Sequence, residues 1–294
     1  MKARKTFNSS IRERNRGDRK SISNRIKKAC ILLFQLIFYT RLKYIILSLI
    51  AIIIASIYWN NLLFDLLKQG FPFLFSTAIF SLIAHELWSN RSKLNFIFKI
   101  YFKSGILTYL RAFGIALLTL TIGIVFYIYV PEFMRWGWGN LVFGNSANVM
   151  FQPLNTANQV GQHVSEFQGN RFDFRWLFLI PVWMLFILAL PFWAEVEEKL
   201  FRQGIHSWKE ITISSIKFGL VHLVMGIPIC WALTLSIPGF LFACRYKYAY
   251  HRHLKKFKDE AKAQADGVLA STADHTLYNA ILITFSVVLL LLIS

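Results

Sequence analysis

The stretch WLFLIPVWMLFILALPFWA, residues 176–194, runs for nineteen residues without a charge and passes directly into AEVEEKLFRQG at 194–204, the most acidic part of the chain. A helix needs about 20 apolar residues to cross the hydrocarbon of a bilayer, so this segment predicts a membrane span with ionisable groups gathered at one end. Similar runs, uncharged or nearly so, occupy 44–59, 71–84, 112–130, 211–225, 229–243 and 276–293. The expected fold is therefore all-α, a polytopic membrane bundle of about seven main transmembrane spans.

Composition supports that expectation. Of 294 residues, 55% are hydrophobic and only 16% charged, too few charges for an ordinary water-facing surface. Lys and Arg number 33 against 15 acidic residues, a formal charge of +18. Clustered on a folded domain, such an excess would suggest nucleic acid. Here it lies in an N-terminal tail and in short stretches between apolar runs, where the positive-inside rule places it, so the expected partner is the lipid bilayer and no nucleic acid.

Residues 1–28 hold eleven Lys and Arg against Glu13 and Asp18, with too few apolar side chains to bury a core, and read as a disordered basic cytoplasmic tail. The apolar residues 29–39 are too few to span and suggest an N-terminal interfacial helix. No small-residue cleavage pattern follows, which predicts that the N-terminus is retained. The basic stretches 89–104 and 245–262 are expected as loops on the side of the tail, and the charge-balanced 131–175 as a loop on the other. Gly-Ile-Pro at 226–228 predicts a tight turn between two apolar runs. Cys30, Cys230 and Cys244 have no disulfide or zinc-knuckle spacing and read as packing residues. Internal repeats, which mark many secondary transporters, are absent from the sequence.

Three pairs of residues carry chemistry. Glu198 and Arg202 are four apart, which puts opposite charges on one helix face and leaves Glu197 on the adjacent one. Desolvation at the membrane boundary would suit Glu197 to act as a base, although a juxtamembrane charge cluster with Arg202 against phosphate headgroups has the same pattern. His222 lies inside an apolar run with Phe218 one turn earlier on the same face, and ionisable residues in spans usually face a polar cavity or a partner. A histidine satisfied by a backbone carbonyl is the plainer alternative. His275 and Asn279 again share a helix face near the expected start of the last span, where Asp274 beside His275 could equally be an N-cap. His85, His206, His251 and His253 sit at span ends or in basic stretches and read as interfacial.

EEKLFR at 197–202, FGLVH at 218–222 and HTLYN at 275–279 resemble, in order, the EExxxR, FxxxH and HxxxN motifs of the CPBP family, the CAAX proteases and bacteriocin-processing enzymes also called the Abi family. The resemblance covers about the last hundred residues. It implies an intramembrane endopeptidase in which Glu197 activates water, Glu198 and Arg202 support it, His222 positions the water, and His275 with Asn279 stabilises the oxyanion. Phe218 would line the substrate site. It also divides the chain into the tail 1–28, N-terminal membrane helices with the outer loop over 29–175, and a catalytic membrane region over 176–294, with cleavage near the cytoplasmic face inside a polar cavity. Implied substrates are a prenylated C-terminal peptide, a leader peptide, or a membrane-protein segment.

No cofactor is expected. Two Glu and two His could bind zinc, but HExxH, with two ligands four apart and a base between, is missing. Serine and aspartyl intramembrane chemistry lack their Gly-Ser elbow and paired Asp motifs. A competing, non-enzymatic reading is a membrane scaffold or assembly factor that binds partner proteins through the outer loop or the basic tail.

Overall fold

The computed structural model describes residues 62–143, 148–169 and 172–292. The chain divides into Met1–Leu66 and Leu67–Ser294, and the account below concerns the second unit. The expected tail at 1–28, interfacial helix at 29–39 and span at 44–59 lie outside the described residues.

Every regular element among the described residues is helical. In chain order these are α1 (Leu62–Ser89), α2 (Leu94–Phe102), α3 (Ile106–Tyr129), α4 (Trp138–Phe143) and α5 (Gln152–Phe167). Then follow α6 (Arg175–Phe201), α7 (Trp208–Val221), α8 (Ile229–Thr234), α9 (Ser236–Phe257) and α10 (Glu260–Leu292). Gly70–Ser89, Ile106–Tyr129, Arg175–Phe201, Ile229–Phe257 and Glu260–Leu292 are long and apolar enough to cross a membrane, and they make this a multi-pass membrane protein. Side chains such as Leu107, Leu110, Phe113 and Leu117 stand exposed along α3. Contiguous apolar exposure of this kind suits lipid rather than water.

Five of the expected spans thus correspond to long apolar helices. The expected span 211–225 does not: α7 has 14 residues and reaches about 21 Å, short of the roughly 30 Å of hydrocarbon. It continues only as a 3-10 turn, His222–Met225, before Gly226 at φ 81° reverses the chain and Pro228 caps α8. Gly226 occupies the left-handed region that a side chain resists, so the Gly-Ile-Pro turn forms where expected.

Three of the expected loops are largely helical. Residues 245–257 complete α9, and α10 begins at Glu260, well before the expected 276. The cause is a buried pair at helical spacing, Tyr246 and Tyr250, which packs on Ala263 and Val268 of α10, while Arg252, Lys255 and Lys256 stand exposed. Residues 94–102 form α2, and 131–175 contains α4, α5 and two 3-10 turns.

α10 is the central element, packed against α9, α6 and α3. Arg175 fastens the ends of α6 and α10 together, donating to the carbonyls of Leu290 at 3.0 Å and Leu291 at 3.2 Å. It also donates to the Asp173 carboxylate at 2.7 Å, and this bonding holds Asp173 below the usual carboxylate range. At the same end, Trp138 donates its indole N–H to the carbonyl of Leu223 at 2.9 Å, so the expected outer segment covers the turn at Gly226. The basic segments at 89–104 and 245–257 meet at the opposite end, where Lys99, Lys103, Arg245 and Arg252 line one hollow.

Pro191 interrupts α6 from within. A proline has no N–H to give the carbonyl four residues earlier, here that of Ile187. The Tyr101 hydroxyl of α2 donates to that carbonyl instead, at 2.7 Å. Burial pushes the Tyr101 phenol well above its ordinary range, so it stays protonated and remains a donor. Tyr101→Phe leaves the carbonyl without a partner in an apolar setting and is expected to cost about 1–3 kcal/mol, read from unfolding of the detergent-solubilised protein.

Candidate active site

α6 delivers two adjacent carboxylates to different environments. Glu198 is completely buried, whereas the Glu197 side chain is 28% exposed. The i,i+4 pairing with Arg202 forms, with Nε 3.4 Å from Glu198 Oε2. Arg202 is the C-cap of α6, and its backbone N–H donates to the Glu198 carbonyl at 2.9 Å. Its side chain lies within the protein, donating to the Gly239 carbonyl at 3.1 Å and stacking 4.1 Å above the Phe218 ring. Arg202 is therefore no headgroup anchor.

Gly239 is what permits this packing. A Cβ there would meet Phe218 at 2.7 Å and the Arg202 guanidinium at 3.3 Å, and neither buried side chain has room to retreat. Gly239→Ala is expected to destabilise by about 1–3 kcal/mol, measured by chemical unfolding in detergent, because the added methyl must displace a close-packed ring.

Glu198 also fixes His275, whose Nδ1 lies 3.0 Å from Glu198 Oε1. A carboxylate accepts, so Nδ1 carries the proton and Nε2 is turned to the other side of the ring. There it faces Glu197 Oε2 at 3.8 Å, too long for a hydrogen bond. That oxygen has no hydrogen-bond partner among the described residues. Phe242 stacks on the His275 ring at 4.7 Å and Phe218 meets it edgewise at 5.4 Å, so the imidazole is confined by two aromatic rings.

The second motif arrives on α7, whose start is set by a capping box of Ser207 and Glu210. At its far end His222 donates from Nδ1 to the Phe218 carbonyl at 2.7 Å, since a carbonyl can only accept. The carbonyl contact anticipated as a plain structural role is thus present, and it leaves Nε2 unengaged by that bond. The third motif sits in mid-helix: His275 and Asn279 lie deep in the 33-residue α10. Asp274 accordingly is no N-cap. It receives two hydrogen bonds from Arg111 of α3, at 3.1 and 3.0 Å, with Arg245 of α9 at 3.7 Å.

These residues share a cavity of about 350 Å³, lined by Glu197, Phe218, His222, His275 and Asn279. The remaining wall is mostly apolar, including Phe186, Leu190, Trp193 and Trp231, so the expected polar cavity is in fact an apolar chamber with its ionisable groups grouped together. Asn148, Met150 and Phe151 also line it. The expected outer loop therefore supplies part of the wall, which the sequence alone did not indicate.

The geometry assigns Glu198 and Arg202 to holding His275 and Phe218 rather than to touching Glu197. Arg111 and its pairing with Asp274 escaped the sequence reading, although a charge at each edge of an apolar run is the signal that finds such pairs. Among the described residues no group of three or more His, Cys, Asp and Glu side chains is arranged to hold a metal ion. Cys230 and Cys244 are free thiols. Comparison of the chain with known protein families, curated proteins and solved structures finds no match.

Proposed function

We propose that this chain is a CPBP-type intramembrane endopeptidase that hydrolyses a peptide bond near the cytoplasmic face. The supporting observation is the convergence of Glu197, His222, His275 and Asn279, from three separate helices, on one cavity. In the proposed reaction Glu197 removes a proton from water, the hydroxide formed attacks the peptide carbonyl, and the tetrahedral intermediate collapses by breaking the C–N bond as Glu197 returns that proton to the departing amine. His222, with its Nδ1 proton committed to Phe218, offers Nε2 as an acceptor that orients the same water. The Asn279 amide and the His275 ring are assigned to stabilising the oxyanion of the tetrahedral intermediate. Glu198 holds that ring in place through Nδ1.

The apolar chamber suits a substrate with a lipid tail or an apolar flank beside the scissile bond, which fits a prenylated peptide, a leader peptide or a membrane-protein segment. The N-terminus is cytoplasmic in this scheme. The basic ends at 89–104 and 245–257 are assigned to the same side by their Lys and Arg.

The direct test reconstitutes the purified chain in liposomes with a library of membrane-tethered peptides and reads products by mass spectrometry. Discrete cleavage sites in the protein's presence, lost on Glu197→Gln, support the assignment. No cleavage, or equal cleavage by both forms, supports the scaffold alternative, in which Glu197 is dispensable. Loss of cleavage on chelation with recovery on added zinc would point instead to metal chemistry.

A further inference from the structure

Two hollows away from the acid pair join at Arg245. The first, about 250 Å³, lies at the basic end and is lined by Lys99 and Lys103 from the α2 region, Thr108 of α3, and Arg245 and Arg252 of α9. One acid, Asp266, faces the same space, and its carboxylate is engaged by His253 at 3.1 Å. Lys99, Lys103 and Arg252 form no ion pair among the described residues. The second, about 380 Å³, is a crevice lined by Gly114, Ile115, Leu118, Leu241 and Cys244 and, at its basic end, by Arg111 and Arg245 with the Asp274 carboxylate that both face.

The order of these residues along the helices gives the pair of hollows a direction. α3 runs from Thr108 to Leu118 and α9 runs the opposite way from Leu241 to Arg252, so cations stand at the bilayer edge and apolar side chains deeper in. From Arg111 to Leu118 the crevice follows α3 for about 10 Å. A cationic pocket that shares Arg245 with an apolar crevice has the polarity of one molecule class, a phospholipid with an anionic head and an acyl chain.

We infer that this surface is a specific site for an anionic phospholipid of the leaflet at the basic end. The headgroup phosphate sits among Lys99, Lys103, Arg245 and Arg252, and one acyl chain lies along Gly114, Ile115 and Leu118. The Arg111 guanidinium is committed to Asp274 and forms the floor between head and chain. Nothing stands within 4 Å of where a Cβ on Gly114 would be, so a larger side chain there projects over the crevice without a clash.

The test uses the full-length protein in detergent, titrated with dioleoyl phosphatidylglycerol or dioleoyl phosphatidylcholine, with bound lipid counted by native mass spectrometry and melting temperature followed in parallel. Phosphatidylglycerol is expected to bind on the order of tenfold or more tightly than phosphatidylcholine, since each cation near a headgroup adds attraction. Combined Lys99→Gln, Lys103→Gln and Arg252→Gln is expected to remove that preference, and the corresponding Lys→Arg changes to preserve it. Gly114→Leu is expected to weaken both lipids. Equal binding of the two lipids, or a preference surviving the triple Gln variant, overturns the site. Stabilisation by inorganic phosphate alone, with Gly114→Leu silent, also overturns it by showing a site for a free anion.

Discussion

Glu197→Gln is expected to lower peptide hydrolysis by about 10²- to 10⁴-fold, the usual contribution of a positioned general base, with the fold unchanged. The amide keeps the shape of the carboxylate but cannot accept the water proton. Little else depends on this side chain. Its Oε2 makes no hydrogen bond among the described residues and lies 3.8 Å from His275 Nε2, so the substitution strands no partner. Stability is expected to stay within about 0.5 kcal/mol of the parent, as for other changes that break no buried contact. Initial rates in liposomes, paired with a melting curve of the same preparation, separate a chemical defect from a structural one.

The neighbouring residue gives the opposite outcome. Glu198→Ala is expected to cost about 3–5 kcal/mol of stability, because it removes the anion that compensates a buried guanidinium. Arg202 is 1% exposed and its Nε faces Glu198 Oε2 at 3.4 Å, while His275 Nδ1 relies on the other carboxylate oxygen at 3.0 Å. Both would lose their partner at once. Glu198→Leu combined with Arg202→Met removes the charge imbalance and is expected to recover much of the loss, though His275 stays unanchored and hydrolysis stays low. Unfolding midpoints in detergent give the comparison. A Glu198→Ala protein as stable as the parent would mean that the carboxylate bears no part of the load assigned to it. Adjacent glutamates thus separate cleanly, one by rate and the other by stability.

Much of this arrangement was legible in the chain itself. The uncharged run at 176–194 leading into EEKLFR announced both a span and the ionisable groups at its end, and helical spacing put Glu198 beside Arg202. Spacing along one helix cannot say which side chain of a second helix answers it. That Glu198 reaches His275 rather than Glu197 is a fact of how α6 packs on α10. The extent of the helices was obscured for a different reason. Between 245 and 257 basic residues outnumber the buried stripe of Tyr246, Ala249 and Tyr250, so mean hydropathy registers a loop where amphipathic periodicity makes a helix. The contribution of residues 148–151 to the cavity wall is non-local and leaves no trace in composition.

The proline in α6 has one further effect. Pro191 stands six residues ahead of Glu197, less than two turns, and the backbone bond it forfeits is replaced by a side chain of α2. The final turns of α6, which carry the acid pair, are consequently joined to the rest of their helix by one backbone bond fewer and are steadied from the side by Tyr101 of α2.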